Sequence, residues 1–338
     1  MKRMFVSLVL LSLPGMVFAQ GVSKVGTTSA PFLNIGVGAR ALGMGGAYVA
    51  VANDATAMFW NAGAMATLPH NEAVVHHAEW LAEMNYDYVG SVFHVGALGT
   101  FGASVTVFSA GDIERTTELA PEGTGEIFNP TSLALGLAYG RRLTDKFSLG
   151  VNVKFISESI YNSTSRGFAV DFGTLYDTGF HGLMLGAAIL NFGQDLRLDG
   201  RDLITQVPAD PTRSGSNQNI PADLTTDSFD LPLILRVGVS IDVLRKSEKN
   251  SFVLALEGIH PNDNVESMSV GAEYSYAGIA FARGGYRQMF SRDNEQGLTV
   301  GGGLNYSFGS SLALKLDYVW QDYGRLTSIQ MFTFGIGF

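Results

Sequence analysis

The chain has 338 residues, a formal charge of −9 and no cysteine, so disulfides, thiol chemistry and a lipid-anchored N-terminal Cys are excluded. If Lys2 and Arg3 leave with an export signal, 20 basic and 31 acidic residues remain, a charge of −11 that argues against nucleic-acid binding. Charged residues make up only 16%, against ~25% in a soluble domain, while 41 Gly, 22 Phe and 12 Tyr suit a wall that faces lipid.

Lys2-Arg3, the apolar run Met4 to Leu13 and the small-residue site Val17-Phe18-Ala19 have the layout of a secretory signal peptide over 1–19. The run is too short for the ~20 apolar residues of a spanning helix, and no later run is long enough. Any membrane crossing must therefore be made by strands.

Residues 20–70 do not alternate like strands. They carry Gly36, Gly38, Gly43, Gly45 and Gly46, and Asp54 stands where it would cap a short helix over Ala55 to Trp60. Such a compact, Gly-rich segment is predicted to fold back as a hatch inside a barrel, with Gly43, Gly45, Gly46, Asn53, Asp54 and Asn61 as its candidate motif. Gly36 to Ala41 superficially matches a dinucleotide fingerprint, but it lacks the preceding strand and βαβ context that the mechanism needs. These glycines read instead as points of close backbone packing against a wall.

From residue 71 to 338 the pattern repeats. Strands are predicted near 72–79, 85–95, 98–108, 131–142, 146–158, 166–178, 181–193, 231–244, 250–260, 266–276, 278–289, 296–308, 311–321 and 327–338. That is fourteen, and an even count is expected to put both ends of the chain, the N- and C-termini, on the periplasmic side. The turns on that side are short, whereas the outward loops include the two longest, 109–130 and 194–230. This asymmetry is that of an outer-membrane barrel. Alternation gives the facing. Leu149, Val151, Val153 and Phe155 point out, with Asn152 and Lys154 in; Leu312, Leu314, Leu316, Tyr318 and Trp320 point out, with Lys315, Asp317 and Gln321 in. In the final strand Phe332, Phe334, Ile336 and Phe338 share one face, which suits lipid and would be an aggregation hazard in water. Aromatics near strand ends, such as Tyr306 and Phe308, fit an interfacial girdle better than the interior of a soluble sandwich. The fold class is therefore all-β: a fourteen-stranded antiparallel transmembrane barrel with a lumenal hatch.

The inward ionisable set is Lys154, Asp171, Arg236, Asp242, Glu257, Glu273, Arg283, Arg287, Lys315 and Asp317. Its mixed signs suggest charge pairs in a plugged lumen, since an open ion pore would favour one sign. His76 and His77 are adjacent on a strand and face opposite ways, so they do not share an ion; no metal or cofactor is expected. There is no compact Ser/His/Asp signature, with only His260 lying near Asp263, so no catalysis is expected. Asn162-Ser163-Thr164 fits a glycosylation sequon but reads as a polar loop.

The run Gly38 to Ala47, then Asn53-Asp54-Ala55 and Phe59-Trp60-Asn61-Ala62-Gly63, resembles the start of the PorV/PorQ family, part of the wider FadL-type barrels. Matching stretches continue at Ser109 to Asp112, Gly150 to Lys154, Phe168 to Asp171, Gly186 to Gly193 and Leu231-Pro232 with Arg236-Val237-Gly238. The family usually has a Pro within Asn-Pro-Ala-Gly; here Asn61 is followed directly by Ala62-Gly63. The resemblance implies a fourteen-stranded barrel with an N-terminal hatch, resident in the bacterial outer membrane. It also implies a part in type IX protein secretion, in which loops and a lateral opening hold exported proteins and pass them on. The implied partners are outer-membrane lipid, secreted cargo and secretion subunits. FadL-type relatives instead move hydrophobic small molecules through a kinked strand, and Gly99 and Gly102 mark where strand three would kink.

Overall fold

A computed structural model describes residues 24–213, 215–245, 247, 249–291, 295–309 and 312–338. The expected signal peptide, 1–19, lies outside the described residues. Fourteen long strands build the wall: β1 Glu72–Glu79, β2 Asn85–His94, β3 Thr100–Ser109, β4 Thr131–Arg142, β5 Phe147–Ile160, β6 Ser163–Asp177 and β7 Leu183–Gly193. β8 Ile234–Asp242, β9 Asn250–Pro261, β10 Ser267–Tyr276, β11 Ala280–Met289, β12 Leu298–Phe308, β13 Leu312–Asp322 and β14 Ser328–Gly337 complete it. Each pairs antiparallel with its chain neighbours, and β1 pairs with β14 from Glu72↔Gly337 to Ala78↔Met331. The barrel is closed, which removes free strand edges and satisfies the backbone within lipid.

The short connections between β2 and β3, β4 and β5, and β6 and β7 lie on one side, and 110–130 and 194–233 lie on the other. The outer loops carry their own pairings: Ile113–Glu114 with Ile127–Phe128, and Ile204–Val207 with Ile220–Asp223. Outward residues Leu149, Val153, Leu235, Val237, Leu298, Val300, Leu316, Phe332 and Phe334 are exposed, whereas their neighbours in the inward phase are buried or half-buried. The strand predicted over 231–244 is shorter, because Leu231 to Leu233 form an irregular entry to β8.

The wall encloses the chain's own first segment. Within it lie two short helices, α1 Ala39–Gly43 and α2 Ala57–Trp60, and nearly every residue from Val37 to Ala66 is buried. The helix begins at Ala57 and not at Ala55, and Asp54 Oδ1 accepts the N–H of Thr56 at 3.0 Å in the turn that leads into it. The direction of this segment corrects one expectation. Thr28 donates to Asp263, in the outer β9–β10 loop, at 2.9 Å, and Ser29 N–H donates to Asp230 O at 2.9 Å. Phe338 N–H donates to Asn71 O, 2.9 Å away at the opposite end. The C-terminal end thus shares the periplasmic side with the start of β1, but residues 24–30 reach the outer mouth, because the inner segment crosses the lumen before β1 begins.

Candidate functional site

Wall and inner segment are joined by inward side chains that alternation places on every second position. Glu257 on β9 accepts the N–H groups of both Tyr48 and Val49 at 2.8 Å through Oε2, and Arg236 through Oε1 at 2.8 Å. The Arg236 guanidinium lies 4.8 Å from the Trp60 ring centroid. Arg40 forks onto Glu273, with both bonds at 2.8 Å, and Glu273 also accepts Arg283 Nε at 2.6 Å. Arg283 continues to Asp317 at 2.5 Å, and Lys315 donates to Glu72 at 2.5 Å. Among the candidate lumenal charges, Asp242 stands apart: it accepts Leu244 N–H, Phe252 N–H and the Ser251 hydroxyl, tying the periplasmic turn. Arg287, half-buried beside Gly46, meets Tyr323.

The candidate hatch residues are all contacts within this plug or between it and the wall. Asn61 Nδ2 donates to Val49 O at 2.7 Å and to the β6 carbonyl of Thr174 at 2.9 Å. Asn53 accepts Arg40, and Asp54 accepts the Tyr48 hydroxyl at 2.5 Å. Burial alone would raise the Asp54 carboxyl, but the charges of Arg40 and Lys315, with hydrogen bonds from Thr56 and Tyr48, hold it below the usual carboxylate range. Gly43 packs on Arg283 and Gly301, while Gly46 lies against Trp60. Gly45 has φ +67°, and a Cβ there would lie 2.7 Å from Val270 O. Facing glycines on the wall match this demand: a Cβ on Gly150 would lie 2.2 Å from the Ala62 carbonyl carbon. A cavity of about 240 Å3 remains at the periplasmic end, lined by Arg40, Glu72, Arg283, Lys315 and Asp317.

Strand three does not kink. Its ladders to β2 and β4 run without a register shift from Thr100 to Ser109; Gly99 ends the turn before it, and Gly102 makes room for Met58. The break falls on β7 instead. Between Val170↔Phe192 and Phe172↔Ile189 the β6–β7 register slips, and Asn191 takes φ +61°. Asp171 accepts the freed Asn191 N–H at 2.7 Å; Lys154 donates to Asn191 Oδ1 at 2.7 Å and lies 2.8 Å from Asp171; Asn191 Nδ2 reaches Pro232 O at 3.0 Å. A second slip separates Met268↔Met289 from Val270↔Tyr286 on β10 and β11.

At the outer mouth a second cavity, of about 440 Å3, lies under both long loops. The β5–β6 turn supports them. Tyr161 donates to Glu126 at 2.6 Å, and Asn162, the sequon residue, holds Asp202 through its N–H at 3.0 Å. The histidines stay apart: His76 faces in, 2.9 Å from Thr333; His77 faces out, 2.7 Å from Asp87; His260 meets Glu266, not Asp263. Arg40, Glu72, Asn191 and Tyr161 were not among the candidates. Glu72 shares the inward phase of Val74 and His76, so alternation alone would have found it.

The family model described as "Type IX secretion system protein PorV" matches residues 18–201. The chain belongs to the PorV family. No curated protein matches this PorV-family chain. Among solved structures it is similar to the CymD monoaromatic hydrocarbon channel, at 14% identity and TM-score 0.55, with 89% of this chain and 96% of that chain covered. It is also similar to the Pseudomonas putida toluene transporter TodX (14% identity, TM-score 0.55, 89% and 97% covered). The Ralstonia pickettii toluene transporter TbuX follows (14%, TM-score 0.51, 89% and 97%). At such identities the likeness establishes the fold alone, a closed antiparallel barrel, and it is the family that places this barrel in the bacterial outer membrane.

Proposed function

We propose that this PorV-family barrel works in protein export, docking secreted proteins at its outer loops, 109–130 and 194–230, while the inner segment seals the lumen. The family match carries this reading. It is supported by a lumen filled with hydrogen-bonded protein and by a cavity that faces outward beneath the two longest loops. Cargo and secretion subunits are the partners so implied. Deleting the gene tests it: exported proteins accumulate in the periplasm while uptake of lipid-like compounds stays normal. Normal export with impaired uptake would overturn it.

A second reading, transport of a hydrophobic small molecule, is favoured by the break at Asn191, where the β6–β7 ladder is interrupted beside a polar cluster. A kinked wall strand is the feature through which FadL-type barrels pass ligand sideways. Impaired growth of the deletion strain on toluene-like or fatty substrates would support this reading.

A further inference from the structure

We propose that the outer-mouth cavity receives a single lysine or arginine side chain presented by an exported polypeptide, an inference that rests on the export reading. The cavity, about 440 Å3, has apolar walls that include Phe108, Ile160 and Leu196. Two carboxylates stand among them, the half-buried Glu158 and the exposed Asp227. Glu158 accepts only Ala30 N–H, at 3.1 Å, and the Ser132 hydroxyl, at 3.4 Å, and no basic side chain among the described residues forms an ion pair with either carboxylate. The Ser165 hydroxyl lines the same cavity; this residue is 5% exposed, and its oxygen has no hydrogen-bond partner.

A buried polar atom without a partner costs free energy, and a half-buried carboxylate without a cation does too. A hydrocarbon would cover the apolar walls and leave all three groups unanswered. A metal ion needs several clustered donors, and no group of three acidic, His or Cys residues that could hold one occurs among the described residues. A Lys or Arg side chain matches both halves of the cavity. Its alkyl stem lies along apolar walls, and its head donates several hydrogen bonds to carboxylate and hydroxyl oxygens. The surrounding loops point the same way. Loop 109–130 holds five acidic residues and one Arg, loop 194–230 holds seven acidic residues and three Arg, and neither holds a Lys. Such a field raises the local concentration of cationic segments at the mouth.

The test uses the mature full-length protein in lipid nanodiscs and three dye-labelled peptides, Ser-Gly-Phe-Lys-Gly-Ser and its norleucine and Glu analogues in place of Lys, read by fluorescence anisotropy. The Lys peptide is expected to bind at least about tenfold tighter than either analogue, and to lose that advantage as salt rises. Glu158→Gln and Asp227→Asn should each remove most of the preference while the barrel keeps its heat-dependent gel shift. Asp227→Asn, at an exposed residue, keeps the test decisive if Glu158→Gln fails to fold. Equal binding of all three peptides, displacement of the Lys peptide by toluene, or its displacement by calcium would overturn the proposal. Export is scored separately. Lys preference together with normal secretion in the deletion strain would leave the cavity assignment standing and sink the export reading. Trapped cargo without Lys preference would sink the cavity assignment alone.

Discussion

Asp171 accepts the backbone N–H of Asn191 at 2.7 Å, supplying in side-chain form the bond that the slipped β6–β7 ladder lacks. Its other oxygen takes Asn152 at 2.9 Å and Lys154 at 2.8 Å, so one carboxylate serves three donors. Asp171→Ala would leave the buried Lys154 ammonium without its carboxylate, with Asn191 Oδ1 as its remaining acceptor, and would leave the Asn152 amide with only the long bond to Met58 O. The expected cost is about 3–5 kcal/mol. Urea unfolding in lipid vesicles measures it, and hydrogen exchange should rise first at residues 189–193. An unchanged midpoint would mean that water replaces the carboxylate freely.

The inner segment meets the wall backbone to backbone. At Gly150 a Cβ would lie 2.2 Å from the Ala62 carbonyl carbon, closer than any side chain can approach. Gly150→Val should therefore push the plug away from β5 without altering the outward face of that strand. Liposomes carrying the wild-type chain are expected to swell slowly in small sugars, and those carrying Gly150→Val clearly faster. Equal rates would show that the plug closes the lumen by contacts elsewhere.

How much of this was legible in the sequence follows from range. The fourteen strands and their facing depend on period 2 and short turns, which are local, and both appear in the sequence. The order of loops also fixed which strand ends are periplasmic. Partners are not local: Arg40 and Glu273 are 233 positions apart and meet only because the barrel closes around the plug. Glycine permits a bend, so the sequence points to Gly99 and Gly102 for the break. Yet Gly102 is spent on contact with Met58, and the bend uses Asn191, the other residue type that tolerates positive φ. A signal existed there, but Asn also recurs in loops and caps, so it could not be singled out. The path of residues 24–30 to the outer mouth has no local signature either, because it depends on the plug's length relative to the wall.

Acid should loosen the plug. Asp54 has a lowered pKa when folded, so its contribution is present above the unfolded value near ~3.9 and is lost as pH falls through the folded one. His70 is also lowered, by burial and by Lys315, so the folded state binds fewer protons than the unfolded one below about pH 6.5. Both groups act in one direction: stability declines as pH drops, first through His70 and then, below about pH 4, through Asp54. Thermal melts between about pH 7.5 and 3 should show it, and His70→Gln should flatten the upper part of that slope. A melting temperature that rises on acidification would contradict the assignment.

Tyr161, at φ +52°, turns the β5–β6 hairpin so that its ring and hydroxyl serve one long loop while Asn162 serves the other. The hydroxyl donates to Glu126, the Arg115 guanidinium lies 5.1 Å from the ring centroid, and Phe128 packs at 5.4 Å. Asn162 in turn accepts Arg201 at 2.7 Å and donates to Asp202 at 3.1 Å. These contacts are exposed, so each is worth little, under about 1 kcal/mol. Tyr161→Ala should leave global melting almost unchanged while trypsin cleaves at Arg115 several times faster, because local opening of 110–130 no longer breaks the tyrosine's contacts. Asn162→Ala should do the converse, speeding cleavage at Arg201 and sparing Arg115. If either variant accelerates both sites equally, the two loops open as one unit and the hairpin is not the strut that separates them.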